Sequence, residues 1–247
     1  MKENLLNILI TNGATHLSSQ LAKSLSQSHQ IRLTDRRADL NVDKNIEYVK
    51  CDLENDSATD EILNGIETII HSGETNHLIN EKDKLELLMR CTYNLLWAAS
   101  KSKVSRVIFL SSLEIMNQYP ETYTVTETWM PKPGTDISHM CYYLVEFICR
   151  EFGREGKLDI VCLRLGTMLS ELDKVTDRAG LHISDAISAV NKAITLSYDK
   201  NIDHTYPKMR PGWNIFHIQS DIPNSRYLID KSRTELGYEP CTTKDKR

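Results

Sequence analysis

Short, nearly all-apolar segments alternate with amphipathic helical ones along this 247-residue chain, and that alternation restricts the fold more than any other feature. Leu5–Thr11, Gln30–Thr34 with Asp35 at its end, Ile46–Val49, Thr68–His71, Val104–Leu110, Leu158–Leu165 and Ile215–Ile218 read as strands. Between them, Leu17, Leu21 and Leu25 mark one helix, and Ser57 to Leu63 reads as a second, with Ser57 as its N-cap. Leu85, Leu88, Met89, Thr92, Leu95, Leu96 and Ala99 recur at steps of three and four, one stripe of a long third helix. Ser138–Phe152 and the spacing of Ile183, Ile187, Val190 and Ile194 predict two more. Repeated strand–helix units of this size imply right-handed crossovers, hence a doubly wound parallel sheet with helices on both faces. The expected architecture is a single Rossmann-type α/β domain over residues 1–247 with a small C-terminal substrate-side portion. A long loop, residues 117–137, is expected over the active-site end, and residues 242–247 read as a polar tail.

Composition narrows the partners. A formal charge of −4 argues against a nucleic-acid or anionic-membrane surface. No apolar run is long enough to span a bilayer, and the first residues lack the pattern of a secretory leader. The six cysteines, Cys51, Cys91, Cys141, Cys149, Cys162 and Cys241, are scattered, most of them inside apolar stretches, and read as reduced structural thiols. A cytoplasmic location is expected. His16, His71 and His139 have no metal-ligand spacing, so no metal site is expected.

In a doubly wound sheet the ligand site lies beyond the C-terminal ends of the strands. The first such turn, Thr11-Asn12-Gly13-Ala14-Thr15-His16-Leu17-Ser18, resembles the T-G-G-A-G-F-I-G opening of the NAD-dependent epimerase/dehydratase family, the extended short-chain dehydrogenases. Asp35-Arg36 resembles the acidic position after the second strand, Cys51-Asp52-Leu53 the G-D-L beside the adenine, and Ile70-His71-Ser72-Gly73 the I-H-L-A turn. Thr92–Ala99 resembles the G-T-x-N-L-L-x-A-A helix, Leu163–Gly166 the L-R-P-G strand end, and Leu181–Asp185 the V-H-V-D-D segment. The uronate dehydrogenase branch is nearest. The resemblance implies an NAD(P)-dependent oxidoreductase or epimerase acting on a sugar or sugar acid. Asn12, Gly13, Thr15, His16, Leu17, Asp35, Arg36, Asp52, Leu53, Ser72 and Gly73 would line the cofactor. A carboxylate at Asp35 favours NAD, whereas Arg36 keeps NADP possible. Related enzymes also suggest a homodimer through the helices near residues 80–101 and 138–152.

Departures from the pattern matter as much. The three motif glycines become Asn12, Thr15 and Ser18. Asn12 tolerates a left-handed backbone, but Thr15 would narrow the phosphate cradle if its φ were positive, so weakened cofactor binding is expected. Ser112 falls at the catalytic serine. Aligning Glu146 with the glutamate of Y-G-x-S-K-x-x-x-E puts Ser138 at the tyrosine and Tyr142 at the lysine, so neither member of that pair is kept. Tyr142 is the remaining candidate proton donor; without a nearby cation, a phenol of ordinary pKa, about 10, is a poor base at neutral pH. Tyr227 and Lys231 share the Tyr-x-x-x-Lys spacing but lie in the final helix motif and read as coincidence. A catalytically inactive, dinucleotide-binding pseudo-enzyme with a regulatory or partner-binding role is therefore the alternative.

Overall fold

A computed structural model describes residues 5–36, 40–73, 80–169, 180–198, 211–221 and 225–241. The tail at 242–247 lies outside the described residues. In chain order the elements are β1 (Asn7–Ile10), α1 (His16–Leu25), β2 (Gln30–Asp35), β3 (Ile46–Lys50), α2 (Asp56–Ile62), β4 (Thr68–Ser72), α3 (Glu81–Ser100), β5 (Arg106–Ser112), a 3-10 turn (Leu113–Met116), α4 (Ile137–Arg154), β6 (Asp159–Leu165), β7 (Thr167–Met168), β8 (Gly180–Leu181), α5 (Ile183–Ile194), β9 (Trp213–Ile218) and a π turn (Ser232–Leu236).

Seven strands pair in the order β3-β2-β1-β4-β5-β6-β9, all in parallel, and β7 and β8 form a separate short pair. Parallel strands buried on both faces need continuous apolar runs, and β4 and the centre of β5 are buried throughout. On one face Leu17, Leu21 and Leu25 of α1 pack with Ala186, Ala189 and Val190 of α5. Each fully buried leucine there contributes about 1.5–3 kcal/mol relative to exposure. On the other face Leu95, Leu96 and Ala99 of α3 meet Val145 and Cys149 of α4 over Phe109 and Ile160. The order reverses at β1, which has β2 on one side and β4 on the other; this is the switch point where a crevice opens.

Local capping departs from expectation at α2. Asn55, not Ser57, is the N-cap: its side chain accepts from the Ala58 amide at 3.1 Å, and Ser57 lies in the first turn. An asparagine two residues earlier satisfies the orphan amide first, so the helix starts sooner. Five of the six cysteines are buried and Cys241 is exposed, all as free thiols. Among the described residues no helix is long and apolar enough to cross a membrane.

Candidate functional site

The turn after β1 leads into α1 at the switch point and is held by contacts of its own residues. Asn12 carries the one positive φ outside glycine among the described residues, 52°, and its side-chain amide donates to the Ser72 carbonyl at 2.8 Å, which holds it there. Gly13 is indispensable for contact: a Cβ would stand 2.6 Å from Cγ of Leu33 on β2. The Ala14 amide donates to Asp35 Oδ2 at 2.9 Å, tying the turn to the end of β2. Ser18, where the third motif glycine would be, is buried and donates its hydroxyl to the Thr11 carbonyl at 3.0 Å, so the extra atoms are absorbed by a hydrogen bond.

Thr15 behaves differently from the expectation. Its backbone is extended (φ −75°, ψ 149°), so no left-handed strain arises. Instead it is the N-cap of α1, and its Oγ1 accepts from the Ser18 amide at 3.2 Å. The narrowing is therefore chemical: a side-chain hydroxyl takes up one of the amides that a helix N-terminus offers to an anion. His16 is exposed at the mouth, while the Leu17 side chain points into the core and leaves only its backbone for a ligand.

Beside the turn, Asn12, Thr34, Asp35, Arg36, Cys51, Leu53, His71, Leu87, Leu88 and Cys91 line a cavity of about 30 Å³, space for about two waters. Arg36 is held by two carboxylates, Asp52 at 3.1 Å and Glu54 at 3.3 Å, and Arg90 reaches the other oxygen of Glu54 at 3.3 Å. Burial, with the nearby Glu54 and Asp52 charges, pushes the Cys91 thiol up to about 12, so it acts as an inert filler. Cys91 stands where the resembling helix motif has glycine, and together with Leu87 and Leu88 it was missed in the sequence; the one signal was the substitution of a bulkier residue immediately before Thr92.

His71 is buried at the end of β4, with Nδ1 2.9 Å from Thr11 Oγ1 and Nε2 2.9 Å from Thr92 Oγ1, and Thr92 in turn donates to the Leu88 carbonyl at 2.8 Å. Burial lowers its pKa to about 4, so it is a neutral clasp between β1, β4 and α3. Ser72 is buried beside it, and Gly73 follows, its amide donating to the Leu110 carbonyl at 3.2 Å. The ring of Tyr142 from α4 rests on Gly73.

At the end of β5, Ser112 caps the 3-10 turn, accepting from the Glu114 amide at 3.1 Å and donating to Glu114 Oε2 at 3.4 Å. Across from it α4 begins at Asp136, which accepts from the Ser138 and His139 amides at 2.9 and 3.1 Å. His139 Nε2 lies 3.6 Å from Glu114 Oε2. No sequence signal links Glu114 and His139; the turn after Ser112 and the start of α4 bring them together. Behind them Glu146 forms a buried pair with Arg164 of β6, at 2.9 Å to Nε and 2.8 Å to Nη2, and also accepts from Ser111 at 2.6 Å.

The segment between the 3-10 turn and α4 is fastened at several points. Val125 bridges Tyr227, Lys132 donates its amide to the Ile115 carbonyl at 2.8 Å, and Trp129 stacks edge-on against Tyr119 with centroids 4.8 Å apart. Glu127 accepts from the His217 amide at 3.0 Å, and burial raises its carboxyl above the ordinary range. Tyr227 and Lys231 have separate structural contacts: the phenol donates to Asn117 Oδ1 at 2.8 Å and the ammonium to the Ile215 carbonyl at 2.9 Å.

Known proteins of the same shape include a glucuronic acid dehydrogenase from Chromohalobacter salexigens (22% identity, TM-score 0.80, 96% of this chain and 85% of that one). A mutant uronate dehydrogenase from Agrobacterium tumefaciens complexed with NAD is 19% identical, with TM-score 0.80, covering 96% of this chain and 85% of that one. At these identities the likeness concerns the fold. An uncharacterised protein, y4nG, of Sinorhizobium fredii is 26% identical over 164 residues, 65% of this chain but only 41% of that relative's length. The pattern of one family runs through residues 8–204, from β1 past α5 and over the Asn12 turn, Asp35 and Ser112 alike, and this chain belongs to the NAD dependent epimerase/dehydratase family.

Proposed function

We propose that the protein is an NAD-linked oxidoreductase or epimerase-like enzyme acting on a hydroxyl of a sugar or sugar acid. The observation that carries this reading is the Asn12–Asp35 turn. Asn12 supplies the left-handed backbone, Gly13 the close approach to β2, and Asp35 a carboxylate at the ribose end of the crevice. The remaining free amides and dipole of α1 suit a diphosphate. His16, Leu17 (through its backbone), Asp52, Leu53, Ser72 and Gly73 complete the wall. A bound nicotinamide would supply the two-electron chemistry. Ser112 orients the substrate oxygen, and Tyr142 lines the reacting end beside Gly73.

NAD is favoured over NADP because Asp35 would repel a 2′-phosphate and Arg36 is already engaged by Asp52 and Glu54. Binding is weaker than an all-glycine turn would give, since Thr15 occupies the Ser18 amide and the adenine-side cavity must widen from about 30 Å³. Tyr93 and Trp97 of α3 and Phe147 of α4 are exposed large aromatics, which supports a homodimer through these two helices. The free thiols suit a cytoplasmic protein.

Purified protein incubated with NAD and a panel of uronates and aldoses tests the reading through nicotinamide absorbance. Reduction of NAD by at least one of these classes is expected. Tight binding of the dinucleotide with no turnover across the panel would instead favour the pseudo-enzyme.

A further inference from the structure

We propose that Glu114 is the acid–base group of this site and His139 its proton relay, together replacing the absent tyrosine and lysine. The inference rests on the reading above. Its basis is a row of polar groups, spaced 3.4, 3.6 and 3.9 Å apart, from the end of β5 to the start of α4. Because Ser112 caps the 3-10 turn, the chain curls back and sets Glu114 Oε2 3.4 Å from Ser112 Oγ, beside the hydroxyl that orients the substrate oxygen. The same Oε2 is 3.6 Å from His139 Nε2, and His139 Nδ1 is 3.9 Å from Asp136 Oδ1. His139 directly follows Ser138, the residue standing at the tyrosine position, so the imidazole enters from the element that would have carried the phenol.

Exposure suits the roles. The Glu114 side chain is 41% exposed and reachable by a substrate, whereas His139 is 23% exposed and backed by Asp136. The Asp136 carboxyl is held below its ordinary range chiefly by the His139 amide, with a smaller pull from Lys84 of the packed helix α3. An acid–base group must come within hydrogen-bond reach of the proton it takes, and a hydroxyl anchored on Ser112 satisfies that for Glu114. In the oxidation the substrate O–H bond breaks and its proton goes to the Glu114 carboxylate. The carbinol C–H bond breaks as the C=O bond forms, and an oxidised nicotinamide dinucleotide, when bound, would take up the two electrons and the hydrogen as hydride. Glu114 then returns its proton through His139 to solvent.

Steady-state kinetics of wild type, Glu114→Gln, Glu114→Ala and His139→Ala, on the uronate or aldose the wild type oxidises, test the assignment. Glu114→Gln should lower kcat about 100-fold or more with KM within about threefold, and added formate should restore part of the Glu114→Ala rate. His139→Ala should lose about tenfold and be rescued by free imidazole. Calorimetry with NADH alone should give the same affinity for all four proteins, which separates lost chemistry from lost folding. Wild-type rates in Glu114→Gln, or no rescue in either alanine variant, would overturn the inference and leave the proposed function standing. A wild type inert on the whole panel would remove both.

Discussion

Tyr142 and Gly73 are a matched pair: a Cβ on Gly73 would stand 2.7 Å from Cδ1 and 2.8 Å from Cε1 of the Tyr142 ring. The bulk gained on α4 where the family pattern has lysine is thus accommodated by the side chain missing at the end of β4. Gly73→Ala should destabilise the fold by about 1–3 kcal/mol through overpacking, and Tyr142→Ala, a half-buried ring, by about 1–3 kcal/mol through lost packing. In urea titrations the double variant should be no less stable than Tyr142→Ala alone. Strict additivity of the two losses would show that the residues do not touch.

The Glu146–Arg164 pair is buried at the junction of β5, β6 and α4, with side-chain exposures of 6% and 2%. Removing one partner strands the other, so Arg164→Met should cost about 3–5 kcal/mol. Replacing both with apolar residues of similar volume should recover much of that loss. The comparison of denaturation midpoints for single and double variants checks it; equal losses would mean that the pair's geometry, not stranded charge, matters.

His71 makes stability depend on pH in one direction. In the folded chain its imidazole stays neutral down to about pH 4, whereas in the unfolded chain it protonates near the ordinary value of about 6.5. The unfolded state therefore binds the extra proton between those values, and stability falls as pH drops through that window, by up to about 3 kcal/mol. His71→Gln should flatten the stability–pH curve between pH 6.5 and 4 by about one proton. An unchanged slope would indicate that the ring is already charged when folded.

Thr15 caps α1 through the Ser18 amide, one of the groups the proposed dinucleotide site would use. Thr15→Gly frees the Ser18 amide while costing only a few tenths of a kcal/mol in helix capping. NAD affinity should rise about tenfold, the value of one additional charge-assisted hydrogen bond. Isothermal titration of the variant against wild type gives the answer, and unchanged affinity would place the diphosphate away from this amide.

What the sequence made legible is what depends on local pattern. The all-apolar strands, the three-and-four spacing of α3 and the carboxylate ending β2 each follow from periodicity and turn chemistry, and each is found where expected. Ser57 was misread because a serine and an asparagine two residues apart are both good N-caps, and nothing in the pattern ranks them. The pairings Gly73–Tyr142 and Glu114–His139 were illegible for a different reason. Their members lie far apart in sequence, and the pairing of β4 with β5 and the placement of α4 beside them put them in contact. The same holds for Thr15, whose identity suggested backbone strain but whose extended φ made it a cap.

The central claim is that the Asn12 turn and Asp35 together hold a dinucleotide, and calorimetric titration of NADH into wild type and Asp35→Ala tests it most directly. The account predicts micromolar binding to wild type, weakened about tenfold or more when the carboxylate is removed. Absence of heat with NAD, NADH, NADP and NADPH alike, or equal affinity in the two proteins, would contradict it.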